Sequence, residues 1–66
     1  MRKYDEHLPA GWCWVTIEEE PGLSMPGTGL TYGEWCEKEA RRLRRDGIDA
    51  KVIECGDKNV ALIRRP

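Results

Sequence analysis

The 66-residue chain contains no phenylalanine and only one histidine, and its charges nearly cancel. No Ser-His-Asp set, metal-binding helix motif or activated-nucleophile motif appears beside this one histidine, so we expect no enzymatic activity and no cofactor. The 11 basic and 12 acidic residues give a net charge of −1. This balance argues against a global electrostatic attraction to nucleic acid or to an anionic membrane.

Long apolar runs are also missing. No stretch approaches the ~20 residues that a membrane-spanning helix needs, and the polar start MRKYDEHLP lacks the apolar core of a signal peptide. We therefore predict a cytoplasmic protein without a membrane partner. A chain of this size buries only roughly 60% of its unfolded surface, so Trp12, Trp14 and Trp35 must supply most of the aromatic bulk.

Three cysteines, Cys13, Cys36 and Cys55, form an odd set without a CxxC pair. Secreted disulfide scaffolds of this size carry even sets of cysteines, so we expect reduced thiols that pack as small hydrophobic groups. Two alternatives stay open. One is a zinc site built from the three thiols and His7, and the other is a single intramolecular disulfide.

The remaining pattern predicts one domain over residues 11–66, preceded by a loosely ordered lead-in over residues 1–10. Residues 11–19 alternate aromatic and β-branched side chains with a period of two, which is typical of a strand. Residues 20–30, EPGLSMPGTGL, form a long loop rich in Pro and Gly. Its GTGLT segment suggests a phosphate cradle before a helix, but it lacks the Gly-Lys-Ser/Thr of a P-loop, so a turn-rich loop is the better interpretation.

A helix is predicted from Thr31 to about Asp46. Thr31 and Glu34 have the spacing of a capping box, and Gly47 is placed to end the helix in the left-handed conformation. Its apolar side chains gather on one stripe that we expect to pack on a sheet: Tyr32, Cys36, Ala40 and Leu43, with Trp35 at the edge.

Two further strands are predicted, Asp49 to Cys55 and Val60 to Arg64, joined as a hairpin by the turn residues 56–59. The last strand is apolar on both faces, which is typical of a strand inside a sheet. We therefore predict an α+β fold with β-α-β-β order. One helix packs on a three-stranded, mainly antiparallel sheet of order 1-3-2, which is half of a ferredoxin-like fold.

The segment Gly47-Ile48-Asp49-Ala50-Lys51-Val52 joins the helix to a strand in a way that many unrelated small α+β domains share. In size and layout the chain resembles the accessory proteins with which phages bind and inhibit host enzymes. This resemblance concerns the architecture alone. It implies an inhibitor or accessory role, and it assigns no functional residue.

The sheet face away from the helix is the first candidate for function. In the favoured register Val15 and Ile17 point to the helix, and a single helix covers only one sheet face. The outward side chains would form a large apolar patch of the kind that marks an interface: Trp12, Trp14, Ile53 and Ile63. We predict that these residues, with Arg41 and Arg45 for orientation, bind a protein partner or a second copy. The alternative is that the first ten residues and the long loop fold over the tryptophans.

The basic end of the helix is the second candidate. Its arginines suit phosphates or an acidic protein surface, and they make a nucleic-acid-binding module the alternative function: Arg41, Arg42, Arg44 and Arg45. The opposing interpretation is a solvated helix end that follows the dipole rule. The acidic run Glu18–Glu20 suggests a third hypothesis, in which the protein occludes a basic groove on a partner.

Overall fold

The structure is a computed structural model that describes residues 5–66, with the exception of the Asp5 side chain. A 3-10 turn, Asp5–His7, precedes one helix and three strands. We name the strands β1, Cys13–Trp14; β2, Asp49–Glu54; and β3, Val60–Arg65; the helix α1 is Tyr32–Arg45. All strand pairs are antiparallel and the order is β1-β3-β2. The predicted α+β class and strand order are confirmed.

Both ends of α1 follow from local sequence. Thr31 is the N-cap, its side chain accepts a hydrogen bond from the Glu34 N–H, and the Glu34 carboxylate accepts from the Thr31 N–H, which completes the predicted capping box. At the other end Gly47 has φ +84°. The Ile48 N–H donates to the Leu43 carbonyl, as in a Schellman motif.

The main core lies between α1 and the sheet. Tyr32, Cys36 and Ala40 on the helix pack with Ala50 and Leu62 on the strands, and all five are buried. The apolar residues around this cluster are partly buried: Met25, Trp35, Leu43, Val52 and Val60. The predicted helix stripe is therefore the stripe that contacts the sheet.

The first strand is much shorter than predicted. Regular pairing covers only Cys13–Trp14, and contact with β3 resumes at a single bridge from Glu19 to Val60. In between, the N–H groups of Val15 and Thr16 both donate to the Leu62 carbonyl, which is the mark of a β-bulge.

The bulge changes which side chains of residues 15–17 point toward α1. Val15 is 42% exposed and Ile17 is 70% exposed, so the prediction that they point to the helix was wrong. Thr16 turns inward instead, where its Oγ1 accepts from the Leu62 N–H at 2.9 Å and lies 2.6 Å from the Tyr32 hydroxyl. A period-two pattern contains no signal for such an insertion.

Candidate functional site

The four predicted patch residues share the sheet face away from α1. Trp14 pairs with Ile63, and Ile53 pairs with the neighbouring Ala61, so their side chains project on one side. Ile63 and Ala61 are nevertheless 0% exposed, and Trp12, Trp14 and Ile53 are partly buried. Ile63 therefore cannot contact a partner directly, and the face is smaller than the open patch expected from the sequence.

Residues 7–12 connect the two ends of the sheet. The His7 ring lies within 3.7 Å of the Cβ position of Gly56, at the hairpin end. Trp12 contacts Lys51 and Arg65 near the opposite end, after a turn in which its N–H donates to the Pro9 carbonyl and Gly11 has φ +86°. The described part of the predicted lead-in therefore runs from one end of the sheet to the other.

Trp12 lies at the edge of the sheet face away from α1, in contact with two cations. The Lys51 Nζ is 4.7 Å and the Arg65 Cζ is 5.3 Å from its ring centroid, within the range of cation–π attraction. The Arg65 Nε also donates to Asp49 Oδ2 at 3.0 Å. The ring is therefore held in a mixed aromatic and ionic cluster at the end of β2 and β3.

The four helix arginines are all exposed but are not equivalent. Arg42 is paired with Glu39 at 2.8 Å, which raises the pKa of its guanidinium, and Arg44 donates from Nε to the Ala50 carbonyl at 2.8 Å. Arg41 and Arg45 form no ion pair with any residue in the range 5–66. Their guanidinium groups are available to a partner.

The fold places these arginines beside the cations of the strands. The C-terminus of α1 leads directly into β2, and β3 ends opposite the start of β2. We call this end of the domain the basic end, and it carries most of the chain's 11 lysine and arginine residues: Arg41, Arg42, Arg44, Arg45, Lys51, Arg64 and Arg65.

The opposite end of the domain is acidic. The bridge from Glu19 to Val60, the start of α1 and the β2–β3 turn meet there. We call this the acidic end, with Glu18, Glu19, Glu20, Glu34, Glu54 and Asp57. The basic end also contains Asp46 and Asp49, and the acidic end also contains Lys58. Each end therefore has an excess of one sign of charge, which the net charge of −1 for the whole chain does not reveal.

The start of α1 does not offer an anion site. Its first N–H groups are taken by protein acceptors: Tyr32 donates to the Leu23 carbonyl, Gly33 to Pro21, Glu34 to Thr31 Oγ1 and Trp35 to the Thr31 carbonyl. Anions bind helix N-termini through such N–H groups when they are free. Two of these acceptors, Leu23 and Pro21, belong to the loop over residues 20–30, which therefore occupies the start of the helix.

The three cysteines are free thiols. Cys36 and Cys55 are buried, and desolvation raises the pKa of both, whereas Cys13 is exposed. Within residues 5–66 no group of three or more His, Cys, Asp or Glu side chains is arranged to hold a metal ion. In the same part of the chain no helix has the length and apolar character to span a bilayer.

Comparison of the chain with family models, with curated proteins and with solved structures gave no match. The functional argument therefore depends on the surfaces described above.

Proposed function

We propose that this chain is a non-enzymatic protein-binding module whose partner presents an acidic surface to the basic end. The observation that carries the proposal is the segregation of charge between the two ends of the domain. A cluster of exposed cations steers an oppositely charged partner during encounter and fixes its orientation.

Within the basic end, Arg41 and Arg45 are the arginines whose guanidinium groups are most available to bind a partner. Neither forms an ion pair within residues 5–66, so binding a carboxylate breaks no existing salt bridge. Trp12 supplies aromatic area at the same end of the domain, on the sheet face away from α1, where Lys51 and Arg65 contact its ring. Tryptophan and arginine are the residue types most enriched in binding hot spots.

The other predicted contact residues have supporting roles in this proposal. Ile63 is the cross-strand partner of Trp14 and is fully buried, so its side chain lies beside the tryptophan on the same sheet face. Ile53 remains partly exposed at the β2 edge. The proposal also includes a half-ferredoxin-like fold, a cytoplasmic location and a phage-type inhibitor or accessory role.

An acidic protein fits the basic end better than a nucleic acid does. Single-strand nucleic-acid modules stack bases on open aromatic rings, whereas the Trp12 ring already contacts two cations. The acidic end would also repel a long phosphate backbone. A nucleic-acid-binding module remains the alternative function, because seven clustered cations are the electrostatic footprint that such proteins share.

The test is affinity capture from a cell lysate, half of it nuclease-treated, with three forms of the chain. The first is wild type, and the second carries Arg41→Gln and Arg45→Gln. The third carries Lys58→Glu in the β2–β3 turn, which makes the same change in net charge away from the basic end. We expect one protein to be retained from both halves by wild type and by the Lys58→Glu control, and to be lost with the Arg41/Arg45 variant.

Two results would contradict the proposal. Equal retention by all three forms would remove the basic end as the binding surface. Retention that disappears on nuclease treatment would instead support the nucleic-acid alternative. That alternative further predicts that the logarithm of the affinity for a DNA or RNA fragment falls linearly and steeply with the logarithm of the salt concentration.

A further inference from the structure

The outer edge of β2 is an unpaired strand edge. The sheet order is β1-β3-β2, so β2 has a neighbour on one side only. The Cys55 N–H donates to the Asn59 carbonyl, and hydrogen-bonded pairs in an antiparallel ladder alternate. Ile53, Lys51 and Asp49 therefore bond to β3, while the backbone groups of Ala50, Val52 and Glu54 point outward.

A side-chain contact confirms which backbone groups of β2 point outward, and it occupies one of them. The Arg44 Nε donates to the Ala50 carbonyl, which must therefore face outward. The N–H and C=O groups of Val52 and Glu54 have no partner in residues 5–66. Another strand can pair with such an edge, and natural proteins usually prevent this by covering the edge or by placing charged residues, proline or bulges on it.

We propose that a second copy of this chain pairs with the edge, β2 against β2 in antiparallel orientation about a two-fold axis. Val52 of one copy then lies opposite Glu54 of the other, and the exchange of their free backbone groups forms four hydrogen bonds. Ile53 sits on the axis, where the two partly exposed isoleucine side chains meet in a close non-hydrogen-bonded pair.

Charge complementarity favours a second copy over another strand. Strand β2 runs from the basic end to the acidic end of the domain. Antiparallel pairing about a two-fold axis therefore sets the start of β2 in each copy beside the β2–β3 turn of the other. Arg44, held at the β2 edge by its bond to Ala50, then lies near Glu54 and Asp57 of the second copy. The same register places Asp57 opposite Asp49, whose charge is already paired with Arg65. A parallel arrangement would bring like charges together.

The test is sedimentation equilibrium of the full chain over a wide range of protein concentration. We expect the mass to rise from 7.6 kDa to twice that value. Ile53→Lys places two like charges on the axis, and Glu54→Pro removes an outward N–H that the internal ladder does not use. Both variants should weaken dimerisation at least tenfold. Leu23→Lys, an exposed apolar-to-lysine change far from β2, should dimerise as wild type does.

Cooperative thermal unfolding of each variant checks that it is folded. If Glu54→Pro does not fold, the pair Ile53→Lys and Leu23→Lys decides the question. A wild-type chain that stays monomeric throughout would overturn the proposal. Dimerisation that survives Ile53→Lys unchanged would also overturn it, because the two copies would then meet through another surface such as their charged ends.

Discussion

Thr16→Val tests the bulge that turns the segment after β1 toward the core. Thr16 Oγ1 accepts from the Leu62 N–H at 2.9 Å and lies 2.6 Å from the Tyr32 hydroxyl, and both contacts are partly buried. Valine keeps the shape but removes the acceptor. The Leu62 N–H is then left without a partner, which costs about 1–3 kcal/mol, while the Tyr32 hydroxyl keeps its hydrogen bond to the Ile17 carbonyl.

The matched control is Thr16→Ser, which keeps the hydroxyl and loses one methyl group, worth about 0.8 kcal/mol if fully buried. We expect Thr16→Val to lower the free energy of unfolding by about 2 kcal/mol and the melting temperature by roughly 8–16 °C in a domain of this size. Denaturant unfolding followed by tryptophan fluorescence measures the difference. Equal stability of the Val and Ser variants would refute the assigned role of the hydroxyl.

Three further predictions concern packing and pH. Gly33→Ala should destabilise the domain by a net amount of about 1 kcal/mol, because the crowding of the new Cβ against Pro21 Cβ at 3.0 Å and the Pro21 carbonyl oxygen at 3.2 Å costs about 1–3 kcal/mol and alanine regains up to about 1 kcal/mol of helix propensity; a higher denaturation midpoint would contradict this. Ile63→Ala should cost about 2–5 kcal/mol of stability, because Ile63 is fully buried; unchanged stability with lost binding would restore it as a contact residue. Burial raises the pKa of Tyr32, so its contribution to stability should be constant below about pH 10, its unfolded value, and be lost above it. Cys36 and Cys55, whose pKa values burial also raises, add a separate loss that begins at about pH 8.5. Tyr32→Phe should remove the tyrosine part of the alkaline loss in a pH series of melting temperatures.

The helix and the sheet order were predictable because their signals are local. Thr31, Glu34 and Gly47 mark the helix ends through capping chemistry, and the doubly apolar Val60–Ile63 segment marks the central strand. The short first strand was not predictable, because two N–H groups share the Leu62 carbonyl at a bulge that leaves no mark in the alternation. Tertiary contacts, not local propensity, decide such positions.

The candidate site was predictable only in part for the same reason. Alternation correctly assigns Trp12, Trp14 and Ile53 to one face, but the path of residues 7–12 along the sheet depends on contacts distant in sequence, such as His7 with Gly56. The helix arginines are visible as a run in the sequence. Their location at the same end of the domain as Lys51, Arg64 and Arg65 can be inferred only from the strand register.

A hydrogen-exchange footprint of the captured partner complex tests the central claim most directly. Our account predicts that the partner slows amide exchange at the basic end, over residues 41–51 and 64–65, and leaves the 20–30 loop and the 56–59 turn unchanged. Protection confined to the loop and the turn, with the basic end exchanging as in the free protein, would contradict it.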